Sequence, residues 1–402
     1  MISGLTTSLM YSSLVVAWGL AAIAAFISTY MAFVVFGSWL YQPKTRLTAR
    51  RPVFGVVVPA HNEEQGIAST IGQLLASAYP PAALRVLVIA DNCTDQTASM
   101  ARDAGAHVVV RNDSDNRGKG QALDWLLHEH AALFDGVDLI AFIDADMQTD
   151  GQFFNSMAAA FADDEIIVAQ GRYLVANACR SILSAIGYMS FCYVNHMRPA
   201  GRCFWGGTAD LKGSGMVFRS PFLLARGWKA HSIAEDIQLG KELMLEGIKV
   251  AYVPDARVES EIPATLSQVN VQQSRWEGGK REIYAALLPR ILRTVLRNPS
   301  PLLLDGLFEM MVPPLSIVIF LNIVGASAAW LVDSVALWVF ITSLAIFAAA
   351  VLSGLLQNRA PAGVYLRLLA APAFVMWKAV LLVRVLFSST PKAWQRTPRD
   401  PR

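Results

Sequence analysis

Long apolar runs lie at both ends of this chain, and a region of mixed polar and apolar pattern lies between them. Residues 14–40 contain four polar side chains, and residues 311–332 and 335–356 are apolar over similar lengths. A helix needs about 20 apolar residues to cross a hydrocarbon core about 30 Å thick. The pattern therefore predicts three transmembrane helices, the last two joined by a tight turn at residues 333–334.

Basic residues follow the first apolar run directly. Residues 1–13 contain no Lys or Arg, whereas the far side of the run carries Lys44, Arg46, Arg50 and Arg51. Lys and Arg concentrate on the cytoplasmic side of membrane helices. We therefore expect residues 1–13 to be external and residues 41–281 to be cytoplasmic, in a protein of the inner (cytoplasmic) membrane. A cleaved signal peptide would begin with a basic stretch, so we expect the first run to remain as an anchor.

Two further segments near the carboxyl end are predicted to meet the membrane surface. Residues 282–300 place Arg290, Arg293 and Arg297 among leucines, which predicts an amphipathic interface helix. Residues 364–387 are apolar but contain three basic residues and a proline, and charge at mid-bilayer depth is costly. This segment is predicted to be interfacial or re-entrant, with a fourth span as the alternative, and residues 388–402 form a basic cytoplasmic tail.

Composition agrees with a chain that is partly membrane-embedded. Hydrophobic residues make up 54% of the chain and charged residues 16%, against about 25% charged residues in ordinary soluble domains. The net charge of +3 gives no basic excess of the kind that nucleic-acid binding requires. The four cysteines show no C-x-x-C spacing, so the sequence indicates neither a zinc site nor a disulfide framework.

Residues 41–281 have the alternating pattern of an α/β domain. Short apolar runs at residues 53–59, 86–90 and 106–110 are separated by segments of helical spacing. This β-α-β-α-β order predicts a parallel sheet. Ligands of open α/β sheets bind outside the carboxyl ends of the strands.

Polar side chains follow the first two predicted strands. Asn62 and Glu63 come after the first strand, and Asp91 and Asp95 come after the second. We expect all four to line one crevice. Helix capping is the alternative for the two aspartates, because Asp is a favoured N-cap residue.

Two later segments have the chemistry of a phosphate and metal site. Lys119 lies in an Arg-Gly-Lys-Gly segment just before a predicted helix, a suitable place for an anion. The Walker pattern is absent, which argues against an ATPase. Asp144 and Asp146 follow the apolar run 139–143, and alternation in an extended segment gives them the same facing. Paired carboxylates suit Mg²⁺ or Mn²⁺, which complete their coordination with phosphate oxygens.

Taken in order, these segments resemble the membrane-embedded family 2 glycosyltransferases, in the cellulose synthase-like and exopolysaccharide-assembling branch. The matching motifs are VVVPAHNEE at 56–64, Asp91, GKG at 118–120, DAD at 144–146, GSG at 213–215, Glu235-Asp236, and Q-x-x-R-W at 272–276. The resemblance implies a GT-A nucleotide-diphospho-sugar-binding domain, an inverting reaction and a UDP-sugar donor.

The resemblance also implies roles for individual residues. Asp236 would be the catalytic base, and Asp144 and Asp146 would hold the metal. The implied donor contacts are Pro59, Ala60, Asn62, Glu63, Asp91, Lys119, Asp144, Ala145, Gln272, Arg275 and Trp276. The implied acceptor contacts are Gly213, Ser214, Gly215, Glu235 and Trp276. Ordinary structural roles are the alternatives, because acidic residues often begin helices and Gly-Ser-Gly often forms turns.

The leading hypothesis is a metal-dependent inverting hexosyltransferase acting on a membrane-presented acceptor. That acceptor is expected to be a polyprenyl-linked saccharide in exopolysaccharide assembly. A processive polysaccharide synthase is the first alternative, and a catalytically silent assembly factor is the second. Expected partners are the donor, the lipid-linked saccharide or growing polysaccharide, membrane lipids, and further copies of the chain or other assembly proteins.

Overall fold

The computed structural model describes residues 2–45 and 51–370. Most of the predicted 364–387 segment and the whole predicted tail at 388–402 therefore lie outside the described residues. The described chain combines one mixed sheet, helices on both faces of that sheet, and long apolar helices from both ends of the sequence.

Eight strands form the sheet in the described part of the chain. They are β1 (Phe54–Ala60), β2 (Leu84–Asp91), β3 (His107–Arg111), β4 (Leu139–Phe142), β5 (Gln148–Thr149), β6 (Val168–Val175), β7 (Met216–Arg219) and β8 (Val250–Ser260). Their order is β3-β2-β1-β4-β7-β6-β8-β5. The first four strands in this order are parallel, whereas β7 is antiparallel to β4 and β6.

Helices form in the segments whose apolar residues have helical spacing. Around the sheet lie α2 (Ile67–Leu75), α3 (Thr97–Asp103), α4 (Lys119–Glu129), α5 (Phe153–Ala160), α6 (Ile182–Cys192), α7 (Arg198–Phe204), α8 (Ser220–Arg226) and α9 (Glu235–Leu245). The remaining helices are α1 (Ile2–Leu40), α10 (Leu266–Arg297), α11 (Pro301–Met311), α12 (Leu315–Val332), α13 (Ser334–Gln357) and α14 (Ala362–Leu368).

Alternate residues of β1 enter two separate hydrophobic cores. Val56 and Val58 pack with α2 and α5 on one face of the sheet, and Val57 packs with α4 and Trp228 on the other. Successive side chains of a strand point to opposite faces, so a strand covered on both faces is apolar throughout. This burial explains the continuous β-branched run, and it leaves the polar residues at the strand ends.

The apolar helices pack against one another. Leu14–Leu40 and Ser334–Gln357 are each long and apolar enough to cross a membrane, whereas Pro301–Met311 and Leu315–Trp330 reach that length only as a pair bent by 63°. Trp18 in α1 donates a 3.2 Å hydrogen bond to Asp333 in the turn between α12 and α13. The carboxylate of Asp333 also accepts the amide hydrogens of Val335 and Ala336 at the start of α13.

Two segment boundaries differ from the sequence prediction. Residues 311–332 are not one straight helix, because Pro313 and Pro314 separate α11 from α12 and neither can donate a backbone hydrogen bond. The predicted boundary at residues 281–282 lies inside α10, which begins with a capping box between Thr265 and Gln268 and runs unbroken to Arg297. The Q-x-x-R-W motif and the basic amphipathic segment therefore share one helix.

An insertion between β6 and β7 connects the sheet domain to the apolar helices. It consists of α6, a π-helical turn at Tyr193–Met197, and α7, which packs across α1. A β-carbon at Gly201 would overlap the Val34 carbonyl oxygen, so the two backbones approach closely there. Trp205 stacks on Phe33 with ring centroids 4.0 Å apart and donates its indole hydrogen to the Phe33 carbonyl. Small residues commonly permit such close helix crossings.

Replacing Gly201 tests this crossing. Gly201→Leu forces α7 away from α1, and we expect it to lower the free energy of unfolding by about 1–3 kcal/mol, the usual cost of overpacking. The measurement is thermal unfolding of the detergent-solubilised chain. Gly19→Ala in α1 is the matched control, since no atom lies within 4 Å of its added β-carbon. Equal midpoints for the two variants would contradict the close crossing.

Candidate active site

The carboxyl ends of β1, β2 and β4 open onto one cleft of about 1340 Å³. Most of the predicted site residues line this cleft, from segments far apart in sequence. They are Pro59, Ala60, Glu63, Asp91, Lys119, Asp144, Ala145, Asp146, Gly213, Glu235, Asp236, Gln272, Arg275 and Trp276. The predicted residues outside this set are Asn62, Asp95, Ser214 and Gly215.

Lys119 lies at the centre of the cleft, at the first position of α4. Its Nζ donates to Asp144 Oδ1 at 2.6 Å and to the Gly213 carbonyl at 2.7 Å, and it lies 3.5 Å from Glu235 Oε1. Burial by itself would lower the pKa of Lys119, but the Asp144 and Glu235 carboxylates outweigh it and raise that pKa. Lys119 is therefore a permanently charged link between three segments of the site.

The carboxylates around Lys119 are crowded. Burial raises the pKa of Glu235 to about 7, with Lys119 opposing the shift and Asp236 adding to it. Burial also raises the pKa of Asp236 and of Asp144, again against the effect of Lys119. Like charges that share a buried site disfavour full ionisation. An additional cation would relieve this repulsion.

The two carboxylates Asp144 and Asp146 fit a divalent cation shared with a ligand. In the described ranges no three His, Cys, Asp or Glu side chains converge to form a complete metal cage. Mg²⁺ and Mn²⁺ sites in phosphate-handling enzymes frequently take one or two carboxylates and complete their coordination with water and phosphate oxygens. The crowded negative charge beside Lys119 agrees with this kind of site.

The Gly213–Gly215 turn lies behind the Asp144 segment and supports it. Gly213 and Gly215 have φ angles of +76° and +71°, which favour glycine. The sequence predicts acceptor contacts for Ser214 and Gly215, but both are buried behind the cleft surface, and the Ser214 hydroxyl accepts the backbone N–H of Asp144 at 3.1 Å. Their position makes them supports of the Asp144 segment, and Gly213 is the member of the turn that lines the cleft.

Asp91 has a partner that the sequence analysis missed. Arg111, at the end of β3, lies opposite Asp91 in the parallel register and donates to its Oδ1 at 2.8 Å. Burial raises the pKa of Asp91, and Arg111 opposes the shift. The sequence contains a sign of this pair, because Asp91 and Arg111 end two neighbouring apolar strands.

Asn62 and Asp95 do not line the cleft, contrary to prediction. The Asn62 side chain accepts the Thr94 N–H at 2.8 Å and holds the loop after β2. Asp95 accepts from the backbone N–H and the hydroxyl of Thr97 at the start of α3. Asp95 thus forms a local turn before α3, whose N-cap position is Gln96.

The Q-x-x-R-W residues approach the carboxylates from α10. Gln272, Arg275 and Trp276 all line the cleft. Burial lowers the pKa of Arg275, and the Glu235 and Asp144 charges oppose this shift. Arg275 thus lies in the electrostatic field of the carboxylate cluster.

Comparison with known families identifies the domain that carries this cleft. The family model described as glycosyltransferase-like family 2 matches residues 51–279, more than half of the chain. The chain belongs to glycosyltransferase family 2. The family that the sequence motifs indicate is thus confirmed.

Curated relatives of this family 2 member match its catalytic region. A probable glucomannan 4-beta-mannosyltransferase 2 of Oryza sativa subsp. japonica is 25% identical over 256 residues, which cover 61% of this chain and 43% of the relative. The probable glycosyltransferase YdaM of Bacillus subtilis (strain 168) is 25% identical over 261 residues, which cover 62% and 61% of the two chains. The chain thus spans about half the length of several curated relatives that it matches.

A solved structure shares the fold over most of the chain. The mannosyltransferase PcManGT of Pyrobaculum calidifontis, solved in complex with GDP-Man and Mn²⁺, has a TM-score of 0.52 and 18% sequence identity to this chain. The match covers 92% of this chain and 99% of the other. The predicted α/β fold of the GT-A type, accompanied by apolar helices, is confirmed.

The Asp91–Arg111 pair gives a test of the ionic contact at the carboxyl ends of β2 and β3. Arg111→Met leaves the buried Asp91 carboxylate without its cation, and we expect a loss of about 3 kcal/mol or more in the free energy of unfolding. Asp91→Asn combined with Arg111→Met should recover part of this loss, which a double-mutant cycle by chemical denaturation measures. Arg102→Met, at an exposed position, is the control. Additive losses would show that the pair contributes nothing.

Proposed function

We propose that this family 2 member transfers a hexosyl group from a nucleoside diphosphate sugar to an acceptor presented at the membrane, with inversion at the anomeric carbon. The supporting observation is the convergence of Lys119, Asp144, Glu235 and Asp236 around Gly213 in one cleft. A buried cation beside buried carboxylates suits a diphosphate leaving group at one point and proton removal at another. The mannosyltransferase names of the relatives make GDP-mannose the first donor to test, beside the UDP-sugars that the motifs suggest.

Different residues of the cleft would have different roles in such a transfer. Lys119 and Arg275 would hold the diphosphate, since charge-assisted contacts to phosphate are strong. A Mg²⁺ or Mn²⁺ ion at Asp144 and Asp146 would offset charge on the departing diphosphate. Asp236 would accept the proton from the attacking acceptor hydroxyl. Its Oδ2 would lie 3.5 Å from a β-carbon placed on Gly213, so the carboxylate faces the turn beside Lys119.

The helices beside the cleft support an acceptor that is presented from the membrane. Val312, Pro313 and Pro314 of the α11–α12 break, with Leu315 at the start of α12, line the cleft together with the proposed catalytic residues. A hydrophobic carrier held by the membrane helices would thus present its head group to Asp236. This arrangement favours a lipid-linked acceptor at the cytoplasmic face of the membrane. Processive polymer synthesis is the alternative, and assembly of several copies would supply more helices for it.

A transfer assay in purified membranes tests the proposal. We expect a labelled hexosyl group to move from GDP-mannose or from one of UDP-glucose, UDP-galactose and UDP-N-acetylglucosamine into an extractable glycolipid. Chelation should abolish transfer, and added Mn²⁺ or Mg²⁺ should restore it. A high-molecular-weight ladder in place of a discrete glycolipid would favour the processive alternative. Absence of both transfer and nucleotide binding across the panel would contradict the proposed activity.

Asp236→Asn tests the assignment of the base. Loss of a general base lowers turnover by about 10²–10⁴-fold, and we expect a decrease of this size with little change in donor affinity, measured by nucleotide titration. Glu246→Gln is the control, because Glu246 caps the far end of the same helix and pairs with Arg226 outside the cleft. Undiminished transfer by Asp236→Asn would assign the proton to another group, with Glu235 the nearest candidate.

A further inference from the structure

The end of the cleft nearest the α11–α12 break is positively charged, in contrast to the carboxylate cluster beside Lys119. Three acidic residues, Asp210, Glu277 and Glu309, line this end. Four basic residues surround them, and these are Arg198, Lys212, Lys241 and Lys280. The described residues named here therefore give this end one more positive than negative charge.

Asp210 and Glu309 do not satisfy all of these cations. Glu309 accepts from Arg198 at 2.9 Å, from Lys241 at 2.5 Å and from the Tyr284 hydroxyl at 3.0 Å, which occupies both of its oxygens. Lys212 Nζ is 3.9 Å from Asp210, too far for a hydrogen bond, and it donates none to any described residue. Lys280 Nζ lies 5.0 Å from the centre of the Tyr284 ring. Burial lowers the pKa of Lys212 to about 8, with Asp210 opposing the shift, and burial also lowers the pKa of Lys280.

Two further donors at this end have no partner. Arg198 Nε and the Tyr193 hydroxyl are buried and make no hydrogen bond within the described part of the chain. Both residues line the cleft, and Arg198 and Tyr193 are 7% and 1% exposed. Leaving such a donor unsatisfied costs about 1–3 kcal/mol. Tyr193 begins the π-helical turn, a feature that recurs at functional sites.

Apolar residues adjoin these donors on the side of the membrane helices. Val312 comes from the break between α11 and α12, Leu315 begins α12, and Ile186 and Val194 come from the insertion. Pro313 and Pro314 keep that break non-helical. One end of the cleft thus combines unsatisfied cationic donors with an apolar wall that continues into the transmembrane helices.

We propose that Tyr193, Arg198, Lys212 and Lys280 bind the phosphate of a lipid-linked acceptor, with its hydrocarbon tail leaving past Val312 and Leu315. The proposal rests on the proposed transfer function and specifies its acceptor. Lys212 and Asp236 act on each other electrostatically, so the phosphate would lie next to the base. A neutral saccharide would bring no negative charge to Lys212 and Lys280, whereas a phosphate would.

Binding of small probes to the full chain in non-ionic detergent tests the proposal. Farnesyl phosphate, farnesol and inorganic phosphate separate the contributions of phosphate and tail. We expect farnesyl phosphate to bind at least about tenfold more tightly than the other two, and Lys212→Gln or Lys280→Gln to weaken it by about tenfold, the size of one charge-assisted contact. Lys280→Arg should retain binding. Lys229→Gln, at an exposed position outside the cleft, is the matched control.

Nucleotide titration of the same variants separates this site from the donor site. We expect unchanged affinity for GDP and UDP with Mn²⁺ in Lys212→Gln and Lys280→Gln. Equal farnesyl phosphate affinity in all variants, or a parallel loss of nucleotide affinity, would overturn the proposal. Equal affinity of the wild-type chain for inorganic phosphate and farnesyl phosphate would overturn its lipid component. Farnesyl phosphate binding without any sugar transfer would instead count against the proposed function alone.

Discussion

The ionic contacts of Lys119 hold the centre of the cleft together. Its ammonium joins the segment after β4, through Asp144, to the glycine turn, through the Gly213 carbonyl, and it lies beside Glu235 at the start of α9. These segments come from separate parts of the chain, and without a central cation their carboxylates would repel one another in a buried site. The sheet supplies the frame, since it brings β1, β2 and β4 to one edge. Lys119 sets the spacing of the polar groups at that edge.

The cleft has a carboxylate-rich end beside Lys119 and a basic end near the α11–α12 break. Two helices, α9 and α10, connect these ends. Helix α9 carries Glu235 and Asp236 in its first turn and Lys241 further along, where Lys241 pairs with Glu309 of α11. Helix α10 carries Arg275 beside the carboxylates and Tyr284 beside Glu309. Both ends of the cleft are therefore built on the same two helices. Through Glu309 these helices are also tied to α11, which leads into the candidate membrane-spanning helices.

The sequence predicted the parts of the site that local pattern determines. Apolar strands ending in acids located Asp91 and Asp144, and ordered motifs located Lys119, Asp236 and Arg275, all of which line the cleft. The family resemblance could not separate a cleft residue from a supporting residue, so it implied an acceptor contact for Ser214, whose hydroxyl accepts the Asp144 backbone N–H. It also missed Arg111, whose role depends on strand register.

The ion pairs between α7 and α11 could not be predicted from the sequence, for a different reason. Arg198 and Arg202 lie in an apolar stretch, and Asp305 and Glu309 lie near the start of a candidate span, where each charge taken alone is costly. The structure pairs them across more than a hundred residues: Arg202 binds Asp305 at 2.8 Å, and Arg198 binds Glu309 at 2.9 Å. Burying such charges is tolerable when partners satisfy them. The pairs therefore fix α11 against the sheet domain and hold the α11–α12 break at the cleft that Asp236 also lines.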